Sequence, residues 1–200
     1  MAGSMDDLKR KLTGCEICRD RFALTATSHR PNPVVWFNES ARVLIASQAP
    51  GLRVHHANTP FWDRSGDRLR DWMGIDSDIF YDRDRVAIVP MAFCFPGYNA
   101  AGSDLPPPKI CAETWRADIM AHLSGVRLTL LIGGYAQKWH LGVQASAGVT
   151  KTVALWKTFD PEVLPLPHPS WRNSGWMKKN PWFEAETLPI LRARVASALA

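Results

Sequence analysis

The chain has 200 residues, of which 46% are hydrophobic and 22% charged, a composition that is ordinary for one globular domain with a sizeable core. No run of 18 apolar residues is present, which excludes a membrane-spanning helix. The net charge of +5 and the isoelectric point of about 9.2 are compatible with a polyanionic partner, although many basic proteins bind none.

The first residues are polar and charged and do not resemble a secretory signal. We therefore expect a cytoplasmic protein without a membrane partner. Residues 1–4, ahead of Met5, look like a remnant of an expression vector, and residues 5–200 are interpreted as a single domain. We expect a monomer, because no surplus apolar face calls for a partner chain.

Apolar runs of β type alternate with helical patterns along the chain. A short charged helix is predicted over residues 6–12, irregular structure over 19–33 and a loop over 48–62. Strands are predicted at residues 34–37 (short, or an edge), 42–47, 85–90, 128–132 and 163–166. Helices are predicted from Asp63 or Ser65 to Gly74, from Cys111 onward, from Gly133 to about Gly142, and from Glu184 to Leu199. The alternation predicts an α/β fold, a three-layer α/β/α sandwich around a central four-stranded, mainly parallel sheet.

The stretch from Val43 to Gly51 is central to the chain. An apolar run ends abruptly in Ser-Gln-Ala-Pro-Gly, which is typical of a buried parallel strand entering a tight loop. Ligands of open α/β sheets bind beyond the carboxyl ends of the strands, so this loop is a candidate binding site. An ordinary strand–loop–helix connection is the alternative. The long, proline-rich loop over residues 93–108 also favours a functional element.

The four cysteines are Cys15, Cys18, Cys94 and Cys111, and the first two form a C-x2-C pair. Disulfides are disfavoured in the cytoplasm. The pattern therefore predicts a four-cysteine metal site that holds either zinc or an iron–sulfur cluster. Four unrelated buried cysteines are the alternative.

Two short motifs, Ser47-Gln-Ala-Pro-Gly51 and His168-Pro-Ser170, resemble the two signature motifs of the uracil-DNA glycosylase superfamily. Between them, Pro60-Phe-Trp-Asp-Arg-Ser-Gly66 is similar to the family's Pro-Phe-x-Gly-x-x-Gly segment. The cysteines stand where the family 4 and family 5 enzymes carry the ligands of a [4Fe–4S] cluster. The resemblance covers about residues 10–195.

The resemblance implies a glycosylase of base excision repair that flips uracil out of DNA and hydrolyses its N-glycosidic bond, leaving an abasic site. It also implies a [4Fe–4S] cofactor, with zinc as the alternative.

This chemistry needs an aromatic face for the base, donors near the negative charge that develops on O2, and a carboxylate for the water or the sugar cation. The resemblance places Phe61 against the base, the backbone amides of Gln48 and Ala49 at O2, and His168 as a donor near O2. Gly51 stands where the strictest relatives carry a tyrosine that excludes thymine, so the pocket is expected to be wider. The alternatives are core packing of Phe61 beside Trp62 and a structural role for His168 between two prolines.

Two positions depart from the family pattern. The first motif contains no acid, because Gln48 and Ala49 replace the acidic residues of relatives. Asp63 resembles the aspartate of the Asp-x-Ser-Gly segment in family 5 and is predicted to be catalytic, with a helix N-cap as the alternative. Pro90 stands where relatives place an asparagine that reads the uracil edge, and proline offers neither an N–H nor a polar side chain. Asn99 or backbone groups of residues 91–93 are the predicted substitutes.

The loop after the second motif enters the minor groove in relatives and fills the gap left by the flipped base. Trp171 or Arg172 is the candidate wedge. The predicted DNA contacts are Arg53, Arg64, Ser170, Trp171, Arg172, Asn173, Lys178 and Lys179. A solvated basic surface is the alternative for the cations. The expected partners are uracil-containing DNA, single- or double-stranded, and the abasic product.

Two other functions remain open on the sequence. The missing acid and the missing asparagine would suit a protein of the same fold that holds uracil or abasic DNA with weak or no turnover. The other function is that of an α/β hydrolase outside the superfamily, which would be cross-linked by zinc and would act on a small nucleotide.

Overall fold

Four short apolar segments form a sheet at the centre of the computed structural model, which describes residues 3–200. The strands are β1 (Val43–Ala46), β2 (Val86–Ile88), β3 (Leu128–Ile132) and β4 (Val163–Leu166). Their order is β2-β1-β3-β4, and all neighbours run parallel. Every residue of β1 and β2 is buried, as expected for parallel strands covered on both faces. Pro165 lies in β4, at the edge of the sheet, where the missing N–H is tolerated.

Helices of residues 3–200 surround the sheet. They are α1 (Met5–Thr13), α2 (Arg19–Ala23), α3 (Leu52–Ala57), α4 (Arg64–Met73), α5 (Ser77–Tyr81), α6 (Lys109–His122), α7 (Gly133–Leu141), α8 (Val149–Ala154), α9 (Ser174–Lys179) and α10 (Leu188–Leu199). A π-helical turn, Phe183–Thr187, precedes α10. No helix in this part of the chain combines the length and apolar character that crossing a membrane requires.

Successive side chains of β1 pack in different cores, because neighbouring residues of a strand point to opposite faces of the sheet. Val43 and Ile45 pack in one core with residues of α4 and α10, such as Leu69 and Leu191. Leu44 packs in the other core with residues of α1 and α6. The predicted three-layer sandwich with a four-stranded sheet is confirmed, and the sheet is entirely rather than mainly parallel.

Several segments predicted as irregular contain short helices. Helix α2 lies within residues 19–33, α3 within the predicted loop 48–62, and α9 follows the second motif. These helices bury one side chain or none, so they lack the repeated apolar spacing that reveals longer helices. The predicted strand at residues 34–37 is wrong, since the segment contributes only one isolated antiparallel bridge, from Trp36 to Ile88.

Candidate active site

A cavity of about 710 Å³ opens beyond the carboxyl ends of the strands. Segments far apart in sequence form its wall: the loop after β1, the turn before α4, the end of β2 and the loop after β4. The predicted site residues that line it are Gln48, Ala49, Gly51, Arg53, Phe61, Asp63, Arg64, His168, Ser170, Trp171 and Arg172. The structure therefore brings both motifs to one concave surface.

The first motif presents unused backbone donors. The carbonyl of Ser47 accepts a hydrogen bond from the Met91 amide (2.8 Å), and that of Gln48 accepts one from the Ala92 amide (3.1 Å). Within residues 3–200, the amide N–H groups of Gln48 and Ala49 donate to no other group. They are therefore available to an acceptor atom of a ligand in the cavity.

Phe61 is held in a strained turn at the cavity wall. Its φ of +54° lies in the left-handed region, which costs a non-glycine residue about 1–2 kcal/mol. Gly66 permits this turn, since a Cβ there would lie 1.8 Å from the carbonyl oxygen of Phe61. The ring is half-buried and meets Phe80 edge-on, at 6.1 Å between centroids. Trp62, its predicted packing neighbour in the alternative interpretation, is instead 59% exposed.

Asp63 both caps a helix and lines the cavity. Its Oδ1 accepts hydrogen bonds from the amides of Ser65 (2.9 Å) and Gly66 (3.0 Å), which fixes the start of α4. The N-cap alternative is thus an observed contact. It does not exclude a role in the cavity, because both capping bonds use the same carboxylate oxygen.

His168 is held as a neutral donor. Burial lowers the pKa of its imidazole, and the nearby carboxylates of Asp63 and Asp104 only partly oppose this shift. The amide of Ser170 donates to Nδ1 at 3.2 Å. Since Nδ1 is the acceptor, this contact assigns the proton to Nε2. The side chain of Asn173 donates to the His168 carbonyl at 2.7 Å and holds the backbone in place.

Arg68, in α4, anchors the loop after His168, although the sequence did not single this residue out. Its guanidinium donates to the Ser170 carbonyl (2.9 Å) and to Oγ of Ser174 (3.1 Å). At the loop's surface Trp171 is 61% exposed, with the Arg172 guanidinium 6.0 Å from its ring centroid. The other predicted DNA contacts, Asn173, Lys178 and Lys179, lie outside the cavity wall. For Asn173 the structure shows a positioning contact instead.

The long loop after β2 brings to the cavity a residue that the sequence did not single out, Asp104, whereas Asn99, one of the predicted substitutes for the missing asparagine, lies elsewhere. Asn99 does not line the cavity; its Oδ1 accepts hydrogen bonds from the amides of Ala101 (3.0 Å) and Ser103 (2.9 Å) and so shapes the loop. Asp104 lines the cavity in its place, together with Pro90. The length and punctuation of the loop indicated a functional element, but nothing in its sequence distinguished Asp104.

All four cysteines are free and line a second, small apolar cavity of about 20 Å³. Burial raises the pKa of Cys94 and raises that of Cys111 to about 11. Backbone N–H groups of Asn32 and Phe93 point at the sulfur atoms of Cys94 and Cys111 respectively. No three His, Cys, Asp or Glu side chains within residues 3–200 stand close enough to hold a single metal ion. Four thiols in an apolar pocket, with amide donors at the sulfurs, nevertheless fit the ligand chemistry of a [4Fe–4S] cluster.

A family model, that of the uracil DNA glycosylase superfamily, matches residues 34–192. The match includes both motifs and every residue that lines the large cavity, whereas Cys15 and Cys18 precede it. It indicates a glycosylase that binds DNA. With most of its length matched and its two motifs meeting at one cavity, the chain belongs to the uracil DNA glycosylase superfamily.

Proposed function

We propose that the protein is a monofunctional uracil-DNA glycosylase. It flips uracil out of DNA, hydrolyses the bond between N1 and C1′, and leaves an abasic site for base excision repair. The proposal is carried by one observation: Phe61, Asp63 and His168 line a single cavity beside the two unused amides of the first motif.

The base binds against Phe61, and its O2 faces the amides of Gln48 and Ala49. A flipped base needs a flat apolar surface on one face and donors at its edge. The strained turn at Phe61 is permitted by Gly66 and stabilised by the Tyr81 hydroxyl, which donates to the Phe61 carbonyl (3.3 Å), so the ring is in place before the base arrives. This preorganisation reduces the cost of ordering the site on binding.

Negative charge moves onto O2 as the glycosidic bond breaks. Two free amides and Nε2–H of a neutral His168 then stabilise the leaving base through donors that need no rearrangement. The carboxylate of Asp63 supplies the opposite charge for the oxocarbenium-like sugar.

Selectivity for uracil is expected to be modest. Pro90 lines the cavity without a polar side chain, and Gly51 leaves open space where a bulkier residue would exclude a 5-methyl group. Thymine and hypoxanthine are therefore informative test bases.

DNA binds across the mouth of the cavity. Arg53, Arg64 and Arg172 line it and are suited to phosphate groups, while Trp171 stands exposed beside them as the wedge. Lys178 and Lys179, in α9, would extend this basic surface along the backbone of either single- or double-stranded DNA.

The four cysteines hold a [4Fe–4S] cluster with a structural role in this proposal. Such a cluster would tie the segment of Cys15 and Cys18 to the loop of Cys94 and to the first turn of α6. Zinc, with Zn–S bonds of about 2.3 Å, is the alternative metal for four cysteine ligands. Purified protein should absorb near 400 nm; a colourless protein with one zinc per chain would favour zinc.

The test is a single-turnover incubation with an oligonucleotide that carries one uracil, followed by alkaline cleavage at abasic sites. Matched strands with thymine, hypoxanthine or a preformed abasic site run in parallel. Cleavage that depends on uracil supports the glycosylase.

A DNA-binding protein with weak turnover is the second candidate, favoured by the absence of an acid from the first motif and of a polar reader at Pro90. Tight retention of the uracil or abasic strand without base release would support it instead.

A further inference from the structure

A second carboxylate, that of Asp104, faces the site from the loop after β2. Asp104 lines the same cavity as Asp63 and His168, although 41 residues separate it from Asp63 in the chain. The negative charges of Asp104 and Asp63 both oppose the lowering of the His168 pKa, as expected for carboxylates that line the same cavity as the imidazole. Asp104 therefore shares the cavity in which the proposed reaction takes place.

The loop holds Asp104 in a defined position. Residues Tyr98 and Asp104 form an antiparallel bridge, and the Leu105 amide donates to the Gly97 carbonyl at 2.9 Å. The side chain of Asn99 stabilises the turn between them by accepting hydrogen bonds from two backbone amides of that turn. The loop is also fixed to the protein body, because the Ala26 amide donates to the Tyr98 carbonyl at 3.2 Å.

The surroundings of Asp104 limit what its carboxylate can contact. The residue is exposed, and within residues 3–200 its side chain makes neither a hydrogen bond nor an ion pair. Phosphate groups of DNA repel a carboxylate, so Asp104 does not serve the backbone. A water molecule beside the sugar is a suitable partner, since the residue is open to solvent and has all its acceptor positions free.

Asp63 is less suited to this task. Its Oδ1 is committed to the two amides that begin α4, which leaves only Oδ2 for another partner. A carboxylate fixed by these bonds suits electrostatic stabilisation of the sugar cation, whereas both oxygens of Asp104 are free to accept from a water molecule.

We propose that Asp104 is the general base that accepts a proton from the attacking water, while Asp63 stabilises the sugar cation. The C1′–N1 bond breaks and its electron pair leaves with the base. The water oxygen bonds to C1′ and one water proton passes to the Asp104 carboxylate. That proton then returns through solvent to the base anion, which gives neutral base, an abasic sugar and the original carboxylate. The inference rests on the proposed glycosylase function.

The experiment compares single-turnover rates of the wild type with those of Asp104→Asn, Asp63→Asn and Ser103→Ala. The Ser103 hydroxyl makes no hydrogen bond within residues 3–200, so the last variant controls for changes in the loop. Asp104→Asn is expected to lower the rate about 100-fold, because general bases contribute roughly 10²–10⁴. Its Kd for a strand with a tetrahydrofuran abasic analogue is expected to stay within about twofold.

Added azide tests whether Asp104 acts as a proton acceptor. This anion attacks C1′ without losing a proton, so it can replace water in a variant that lacks only the general base. Added azide is expected to restore Asp104→Asn at least about tenfold, with an azido sugar detected by mass spectrometry, and to leave Asp63→Asn unrestored. A wild-type rate in Asp104→Asn, or a slow variant that azide does not restore, would overturn the inference alone. Absence of base release from the wild type would instead overturn the proposed function.

Discussion

The two cavities of this protein differ in size, polarity and access. The large one, about 710 Å³, is open and lined by arginines, carboxylates and a histidine; the small one, about 20 Å³, is apolar and lined by the four cysteines. Bond cleavage in DNA needs solvent, charge and room for a nucleotide. A cluster of iron and sulfur needs thiolate ligands in a protected, apolar shell.

One segment nevertheless lines both cavities. Pro90, Pro96 and Asp104 face the large cavity, while Cys94 and Cys111 face the small one. Anything that loosens the cysteine site is therefore expected to disturb the wall of the substrate site, whereas changes to charged groups in the large cavity should leave the cysteine site intact. The following variants test this asymmetry.

The largest effect is expected from replacing Asp63, the proposed catalytic carboxylate. Asparagine caps helices about as well as aspartate does, so Asp63→Asn keeps the start of α4 but removes the charge. We expect a loss of about 10³-fold in single-turnover rate, or about 4 kcal/mol, with an unchanged melting temperature and an intact 400 nm absorbance.

Asp63→Ala is the matched comparison, because it removes the charge and the cap together. It should be as inactive and additionally less stable by about 1 kcal/mol. If Asp63→Asn keeps its rate while Asp63→Ala only melts earlier, Asp63 is a cap and has no catalytic role.

Disruption of the cysteine site is expected to lower the stability of the fold directly and the activity only as a consequence of that loss. Cys111→Ser removes one of the four proposed cluster ligands, at the small cavity beside the loop that carries Asp104. We expect loss of the 400 nm absorbance and a fall of roughly 3–4 kcal/mol in the free energy of unfolding, which corresponds to a melting temperature lower by about 10 °C.

Ile110→Ala is the control, since Ile110 lines the same small cavity without offering a ligand atom. It should keep the colour and most of the stability. A colourless Cys111→Ser protein with unchanged stability and unchanged rate would show that the two cavities are independent.

A buried arginine and a half-buried histidine behind Pro90 give a pH-dependent test of the wall that the two cavities share. Arg116 is 3% exposed and donates to the carbonyls of Val89 (3.0 Å) and Pro90 (3.4 Å); its Nη2 lies 2.5 Å from Nε2 of His140. Burial, reinforced by the positive charge of Arg116, lowers the pKa of His140 to about 4.

The unfolded chain, with a histidine pKa of about 6.5, therefore binds more protons than the folded one between pH 6.5 and 4. The free energy of unfolding falls as pH drops through this window, by at most about 3 kcal/mol from His140. His140→Gln keeps an acceptor for Arg116 and should flatten the dependence measured by urea unfolding at pH 7.5 and 5. The lowered pKa values of His168 and His55 leave a residual slope of the same sign. An unchanged slope in His140→Gln would contradict this origin.

The sequence predicted the elements that have long apolar patterns. β3 and β4 begin and end where predicted, and α4 runs from its cap at Asp63 to its left-handed end at Gly74. Short helices such as α3 and α9 escaped prediction, because they bury at most one side chain and owe their form to tertiary contacts.

The site was predictable where a motif carried it. Phe61, Asp63 and His168 reach one cavity because each follows or precedes an element that the sequence indicated. Arg68 was not predictable, since it anchors a segment more than 100 residues away. Asp104 was not predictable either, since its position at the cavity depends on how its loop folds around Asn99 and attaches to the distant Ala26.

The smallest expected effect concerns Trp171 at the mouth of the large cavity. A wedge fills the gap that a flipped base leaves in a duplex, and a single strand has no such gap. Trp171→Ala should therefore lower the rate on duplex DNA about tenfold, or about 1.4 kcal/mol, and on single strands less than about twofold. Trp139→Ala is the control, because Trp139 is also exposed (47%) but lies on α7, outside both cavities. Equal losses on duplex and single strands would instead make Trp171 a stacking surface for DNA in general. The open cavity would then bind any flexible strand, without a wedge that distinguishes paired from unpaired uracil.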